Sequence, residues 1–251
     1  MSLNAKQREK LSQFREITGL NEKEAKLCLA HTNWNLEGAI EYFFSQEAQP
    51  SSSSSQQPTK ADLLDGLYNK YKSPNSIDIE AEGIQSFCQD LGIDPLDPVT
   101  LVFAYYCKAE VMGVFKKEEF IQGLKALGCD SIQKLKNKLP DMRIVLADTK
   151  QFKEIYNYVF GFSREAGCRN LSIDVAIALW RLLLGAKFPM VETWITFLES
   201  RGKRHDVSKD TWEMLLDFLE IVQKEGLQGY DPNSAWPVLI DEFVEFLSKS
   251  S

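Results

Sequence analysis

The sequence predicts an all-α protein in two parts. Apolar side chains recur at intervals of three and four through most of the chain, plausible cap residues precede several of these runs, and only short β-like scraps containing Ile79, Phe115, Leu171 and Val207 interrupt them. With 251 residues, 44% hydrophobic and 26% charged, the chain can bury one or two cores and has the composition of an ordinary folded protein. No apolar run reaches the length of a membrane-crossing helix. The opening MSLNAKQREK lacks both the apolar stretch of a signal peptide and the second-position glycine of a lipidation signal, so the expected setting is cytoplasmic and nuclear.

The stretch SQEAQPSSSSSQQPTK, Ser45 to Lys60, divides the chain, because it holds no hydrophobic residue beyond Ala48 and nothing in it offsets the entropy of ordering. The expected division is a first domain over 1–45, a linker over 46–60 and a second domain over 61–251. In the first, Leu11, Phe14 and Ile17 form one stripe. Asn21 and Glu24 have the spacing of a capping box and open a second helix through Ala25, Cys28 and Leu29. A third follows Asn35, with Ala39, Ile40, Phe43 and Phe44 facing inward and Trp34 lying over the same small core. The loop ITGL after the first helix and the run NWNLEGAIEYFF resemble a ubiquitin-associated (UBA) domain. That likeness implies a three-helix bundle whose loop and third helix touch ubiquitin, here Thr18, Gly19 and the positions near Glu41. A small helical appendage without ubiquitin binding fits the same residues.

Beyond the linker, helices are expected near 61–71, 80–91, 97–108, 116–127, 131–138, 149–162, 174–184, 188–199, 209–225 and 235–248. Helix pairs flank Ile79, Phe115, Leu171 and Val207, and the spacings of 36, 56 and 36 residues suggest tandem EF-hand-like units. A calcium loop needs oxygen ligands at positions 1, 3, 5 and 12. With Phe115 at position 8, Gly113 takes position 6 and Glu119 position 12, but Lys108 and Met112 occupy positions 1 and 5. The other three loops place Lys72, Arg164 and Ser200 at position 1 and Gly83, Val175 and Thr211 at position 12. The units are therefore expected to be degenerate and to hold no metal.

Catalytic chemistry finds little support. Cys28, Cys88, Cys107, Cys129 and Cys168 are scattered without a Cys-x-x-Cys pair, and only His31 and His205 could join them as ligands or bases. Cys88 and Cys107 lie among apolar residues at helical spacing, where a thiol behaves as a small hydrophobe. No glycine-rich phosphate loop occurs. No cofactor is expected.

Charge is distributed unevenly. Residues 1–205 hold 26 acidic and 26 basic side chains, whereas 206–251 hold 10 and 3, so the whole formal charge of −7 lies in the last segment. This asymmetry disfavours nucleic acid and anionic membranes and would attract a basic protein surface; on charge alone a solvated face serving solubility is the preferred reading. In the penultimate helix Trp212, Leu215, Leu216, Leu219 and Val222 face inward, and Asp210, Glu213, Asp217 and Glu220 line another side, with Ser208 as cap. In the last, Ser234 is the expected cap and Pro237 sits in the first turn. Trp236, Leu239, Ile240, Phe243 and Leu247 turn inward, and Asp241, Glu242 and Glu245 stay outside.

The runs KDTWEMLLDF, YDPNSAWPVLIDEFVEF, GCDSIQKLKNKLP and LYNKYKSP, behind a UBA-like domain, resemble the defective-in-cullin-neddylation family over nearly all of residues 60–248, its potentiating-neddylation (PONY) domain. The resemblance implies a non-catalytic co-ligase that binds the C-terminal winged-helix region of a cullin and the N-acetylated N-terminus of the neddylation E2. Transfer itself would be carried out by that E2 and a RING ligase. Carried onto this chain, the cullin patch falls on Asp210, Ala235 and Asp241. The acetyl-methionine pocket falls on Ile84, Leu101, Phe103, Ala104, Cys107, Ala109, Phe115, Phe162, Leu179 and Leu182, apolar positions that ordinary core packing also explains. The alternative reading is a calcium-independent EF-hand-like adaptor for ubiquitin and another basic protein, with a calcium sensor as the further possibility.

Overall fold

The computed structural model describes residues 5–18, 20, 22–32, 34–46, 59–201 and 206–250. Thirteen α-helices and one 3-10 turn, Gly226–Gly229, account for the regular structure among them, with no strand. The chain divides into two compact units, residues 1–57 and 58–251.

The first unit holds α1 (Ala5–Thr18), α2 (Glu22–His31) and α3 (Leu36–Gln46). Its core is small, built by Leu11, Phe14, Ala25, Leu29 and Ala39, with Trp34, Ile40 and Phe43 packed against it. Phe14 meets Phe43 edge to face at 6.2 Å, which ties α1 to α3. Trp34 adopts a positive φ of 62°, and its amide donates to the Leu29 carbonyl at 2.7 Å, closing α2 and setting the indole over the core. Ile17, expected to continue the stripe of α1, is instead 52% exposed. Asn21 lies outside the described residues, as does the side chain of Glu24, the other half of the expected capping box.

The second unit runs through α4 (Lys60–Tyr71), α5 (Ala81–Leu91), α6 (Val99–Cys107), α7 (Lys117–Ala126), α8 (Ile132–Val145), α9 (Thr149–Phe162), α10 (Ile173–Leu184), α11 (Met190–Ser200), α12 (Lys209–Glu225) and α13 (Val238–Ser250). The EF-hand-like reading holds in its backbone. Ile79, between α4 and α5, exchanges both backbone hydrogen bonds with Phe115, between α6 and α7, at 3.0 and 2.9 Å. Leu171 and Val207 do the same at 2.9 and 2.7 Å for the α9–α10 and α11–α12 pairs. Each bridge satisfies amides and carbonyls that a buried loop would otherwise leave unpaired. Two four-helix units result, with α8 between them in the chain and α13 after the second.

Three expected boundaries shift. Lys60, read as linker, is the first residue of α4, because Thr59 accepts from the Asp62 amide at 3.2 Å while the Asp62 carboxylate takes the Thr59 amide at 2.8 Å. The helix expected to stop at 138 continues to Val145 through Pro140. Leu135 and Met142 are buried on either side of the proline, and Arg143 clasps Asp97 with two bonds of 3.0 and 2.6 Å, so tertiary anchors outweigh the missing hydrogen bond. The last helix begins at Val238 rather than 235, because the Pro237 carbonyl, not the Ser234 side chain, starts it by accepting from Ile240 and Asp241 at 2.8 and 3.3 Å.

The C-terminal half is organised around Tyr156 on α9, which is fully buried. Its hydroxyl donates to the Trp212 carbonyl at 2.7 Å and accepts from the Trp180 indole at 3.0 Å, and its own carbonyl accepts the Trp212 indole at 2.9 Å. The rings of Tyr156 and Trp180 both stack on Trp212, at 4.5 and 5.4 Å, so α9, α10 and α12 meet at one point. From there Trp180 touches Trp194 on α11, and Trp194 touches Phe243 on α13. Burial holds the Tyr156 phenol well above its usual range, so it remains a donor at any ordinary pH. Tyr156→Phe leaves the buried Trp180 indole N–H without a partner and strips the Trp212 carbonyl of its second donor, and it is expected to lower unfolding free energy by about 2 kcal/mol in urea denaturation.

Candidate functional site

The acid-rich C-terminal end starts from the cap of α12. Ser208 accepts from the Thr211 amide at 3.1 Å and places Asp210 in the first turn, exposed, where the positive end of the helix favours a carboxylate. Trp212, Leu215, Leu216 and Leu219 face the core as expected, with Val222 partly buried. At the other end of α12 the 3-10 turn sends the chain back, and Tyr230 and Trp236 both pack edge-on against Phe218, at 6.2 and 6.0 Å. Phe218 also contacts Phe243, and through it α12 is joined to α13.

Residues 231–237 form a turn built on Asp231. Its carboxylate accepts from the Asn233 amide and side chain at 2.9 and 3.1 Å, and its carbonyl accepts from the Ser234 amide and the Trp236 indole, both at 3.1 Å. Ala235 stands exposed on this turn, ahead of α13 rather than in it. Asp241 follows in the first turn of α13, half-buried, and its Oδ1 accepts from the Tyr230 hydroxyl at 2.6 Å. That bond, together with burial, pushes the Tyr230 phenol up to about 12.

The two helices are less uniformly negative than the sequence suggests. Asp217 is paired with Lys153, Glu242 with Arg201, Glu213 with Lys209 at 3.6 Å and Glu245 with Lys249 at 3.7 Å. Among the described residues no cation pairs with Asp210 or Asp241. Lys153 and Arg201 come from α9 and the end of α11, and nothing in the local sequence announces them. Tyr230 is equally silent, because it and Asp241 belong to different elements joined by a turn, and periodicity links residues only within one element.

The ten apolar positions fall differently on two hollows formed by described residues. Leu101, Phe103, Ala104, Cys107, Ala109, Phe115, Phe162 and Leu179 are buried, and Ile84 and Leu182 are partly buried. Ile84, Phe103 and Phe115 line, with Leu135 and Met142, a cavity of about 20 Å³, room for a water-sized sphere rather than a side chain. Ala109 and Phe162 line a different feature, an open groove of about 700 Å³ walled by Tyr105, Tyr106, Tyr158 and Arg164. Leu101, Ala104, Cys107, Leu179 and Leu182 line neither. Cys107 is spoken for by packing: a Cβ on Gly123 of α7 would lie 2.3 Å from its Sγ, and that closeness requires glycine. Tyr158 braces the end of α6 with its hydroxyl 2.9 Å from the Ala104 carbonyl and 2.7 Å from that of Ala109. In the first unit Thr18 bonds back to the Phe14 carbonyl at 2.6 Å, and Gly19 and the Glu41 side chain lie outside the described residues.

Two family models match this chain: one described as cullin binding over residues 134–246, and one described as a UBA-like domain over residues 8–50. DCN1-like protein 5 of Homo sapiens is 40% identical over 179 residues, covering 71% of this chain and 74% of the relative. Defective in cullin neddylation protein 1 is 31% identical in Caenorhabditis elegans over 97% of this chain and 90% of the relative. The same protein in Yarrowia lipolytica is also 31% identical, over 93% of each. The chain belongs to the defective-in-cullin-neddylation family.

In this member of the family the loop that comes nearest to a calcium site spends its ligands otherwise. Glu119, at position 12, accepts from the Lys116 amide at 2.9 Å through one oxygen and from the Glu110 amide at 3.2 Å through the other, so its carboxylate closes the loop by itself. Glu110 in turn pairs with Lys116 at 2.6 Å. Gly113 keeps the positive φ, 84°, of the sharp turn. In the first loop Gly83 takes position 12, where a Cβ would stand 2.0 Å from the Tyr71 carbonyl. Millimolar calcium should leave the thermal midpoint and tryptophan fluorescence unchanged; a saturable rise in either would contradict this geometry.

Proposed function

We propose that this protein is a non-catalytic co-ligase for cullin neddylation. In this reading Asp210, Ala235 and Asp241 bind the C-terminal winged-helix region of a cullin, and the apolar positions around Ile84, Phe103 and Phe115 receive the N-acetylated N-terminus of the neddylation E2. The observation that carries the proposal is the match to the cullin-binding model over residues 134–246, which takes in α12, most of α13 and all three patch residues, together with relatives named for cullin neddylation along most of their length. Exposed Asp210 and half-buried Asp241 lack a cationic partner among the described residues, so they are open to basic side chains of a partner, and the small, exposed Ala235 permits close approach.

Holding a charged E2 and a cullin together raises the effective concentration of the acceptor lysine and narrows its approach, while thioester chemistry stays with the E2 and its RING ligase. Two of the chain's five thiols, both buried, fit this division. Burial pushes Cys88 up to about 11 and Cys107 well above the usual thiol range, which removes both as nucleophiles near neutral pH. Acetylation of the E2 terminus removes an ammonium that an apolar site could not hold. Because the cavity at Ile84, Phe103 and Phe115 is small, that peptide end must open it by moving side chains of α5, α6 and α8. Ubiquitin is a further partner in this reading, at the UBA-like unit, and the setting is cytoplasm and nucleus.

Asp241→Arg places a like charge against the basic partner and should weaken binding of a cullin C-terminal fragment by about 2 kcal/mol or more, roughly thirtyfold, in isothermal titration. Unchanged affinity, with the fold intact by circular dichroism, overturns the patch assignment.

A further inference from the structure

Asp241 differs from the other acids of α13 in being held by a neutral group. Glu242 is paired with Arg201 and Glu245 with Lys249, and in both the carboxylate's charge is answered by a cation. Asp241 meets the Tyr230 hydroxyl instead, at 2.6 Å through Oδ1. A neutral donor fixes a carboxylate without cancelling its charge.

The donor is itself immobilised. The Tyr230 ring lies against Trp236 at 6.0 Å and 29°, and both rings meet Phe218 of α12 nearly edge-on, at 80° and 84°. Trp236 is tethered by its indole to the Asp231 carbonyl at 3.1 Å, and Asp231 is the centre of the turn that exposes Ala235. One aromatic pair thus rests on the core at Phe218, steadies the Ala235 turn and reaches Asp241. The phenol, pushed up to about 12 by burial and by its bond to Asp241, keeps its proton at neutral pH and so remains a donor.

We infer that Tyr230 is a positioning residue for the cullin contact: its hydroxyl orients the Asp241 carboxylate so that Oδ2 is presented, already ordered, to a cation of the partner. The inference rests on the assignment of Asp241 to that contact. Two effects of the hydroxyl oppose each other. It draws some electron density from the carboxylate, which weakens the acceptor, and it fixes a side chain that would otherwise lose rotamer freedom on binding, which favours the complex. A carboxylate offers about four acceptor positions and Tyr230 occupies one, so ordering outweighs the loss of acceptor strength.

The test is a double-mutant cycle on the full chain with Tyr230→Phe, Asp241→Asn and the pair, each titrated with a cullin C-terminal fragment. Phenylalanine keeps the ring contacts with Trp236 and Phe218 and removes only the oxygen. Tyr230→Phe is expected to weaken binding about fivefold, and in the Asp241→Asn background it should have almost no effect, because the group it orients is gone. A role confined to supporting the fold would instead give the same fivefold factor in both backgrounds, which overturns the inference. Affinity for Tyr230→Phe equal to or tighter than that of the parent also overturns it, identifying the hydroxyl as inert or as a competitor for the carboxylate. Loss of affinity in Asp241→Asn alongside either of those outcomes leaves the cullin site standing without Tyr230; no loss in Asp241→Asn removes the site itself.

Discussion

The hydroxyl of Tyr156 sits where three helices converge, and the orientation of α12 follows from it. A buried tyrosine needs a hydrogen-bond partner, and this one finds two, a backbone carbonyl of α12 and an indole of α10. The Trp212 indole returns a bond to the backbone of α9, so neither helix can slide or rotate without leaving a buried polar group unpaired. Asp210 is two residues ahead of Trp212, which makes the exposed acid an outgrowth of the most constrained point in the C-terminal half. Asp241 is reached from the same core by another route, through Phe218, Tyr230 and the aromatic contacts of Phe243.

Two of the EF-hand-like loops are closed by protein groups at the position where a calcium loop would use its ion. In a calcium-binding loop the ion gathers the backbone and the position-12 carboxylate. Here Glu119 gathers two amides itself, and Gly83 lets α5 approach the Tyr71 carbonyl at a distance that no larger residue permits. The paired bridges at Ile79–Phe115 and Leu171–Val207 do the rest. A scaffold held this way suits a protein whose proposed task is to hold two others in register.

Sequence and structure agree where a local rule governs and part where distant residues decide. The four bridge positions were legible because scraps of β character lie between helix pairs with the 36-residue spacing occurring twice, and the inward faces of α12 and α13 because helical periodicity places Trp212, Leu215 and Phe243 on one side. The helix through Pro140 was not, since a proline reads as a stop and its rescue comes from Asp97, 46 residues away. The start of α13 misled for a similar reason: Ser234 has the chemistry of a cap but is drawn into the Asp231 turn. The acidic face was legible as composition only. Lys153 and Arg201 neutralise Asp217 and Glu242 from other helices, and only the fold separates those acids from Asp210 and Asp241.

This pattern gives the acid-rich terminus a division of labour in which Glu213, Asp217, Glu242 and Glu245 are tied to cations of the chain itself, while Asp210 and Asp241, without a cationic partner among the described residues, are left for a partner in the proposed reading. The most direct test is the salt dependence of binding to a cullin C-terminal fragment, measured for the parent chain and for Asp210→Asn with Asp241→Asn. The account predicts that the parent loses affinity steadily between 50 and 300 mM salt, by about tenfold, and that the doubly substituted chain binds weakly with a nearly flat dependence. Parallel salt dependences for the two would contradict it, because the charges that attract the partner would then reside elsewhere.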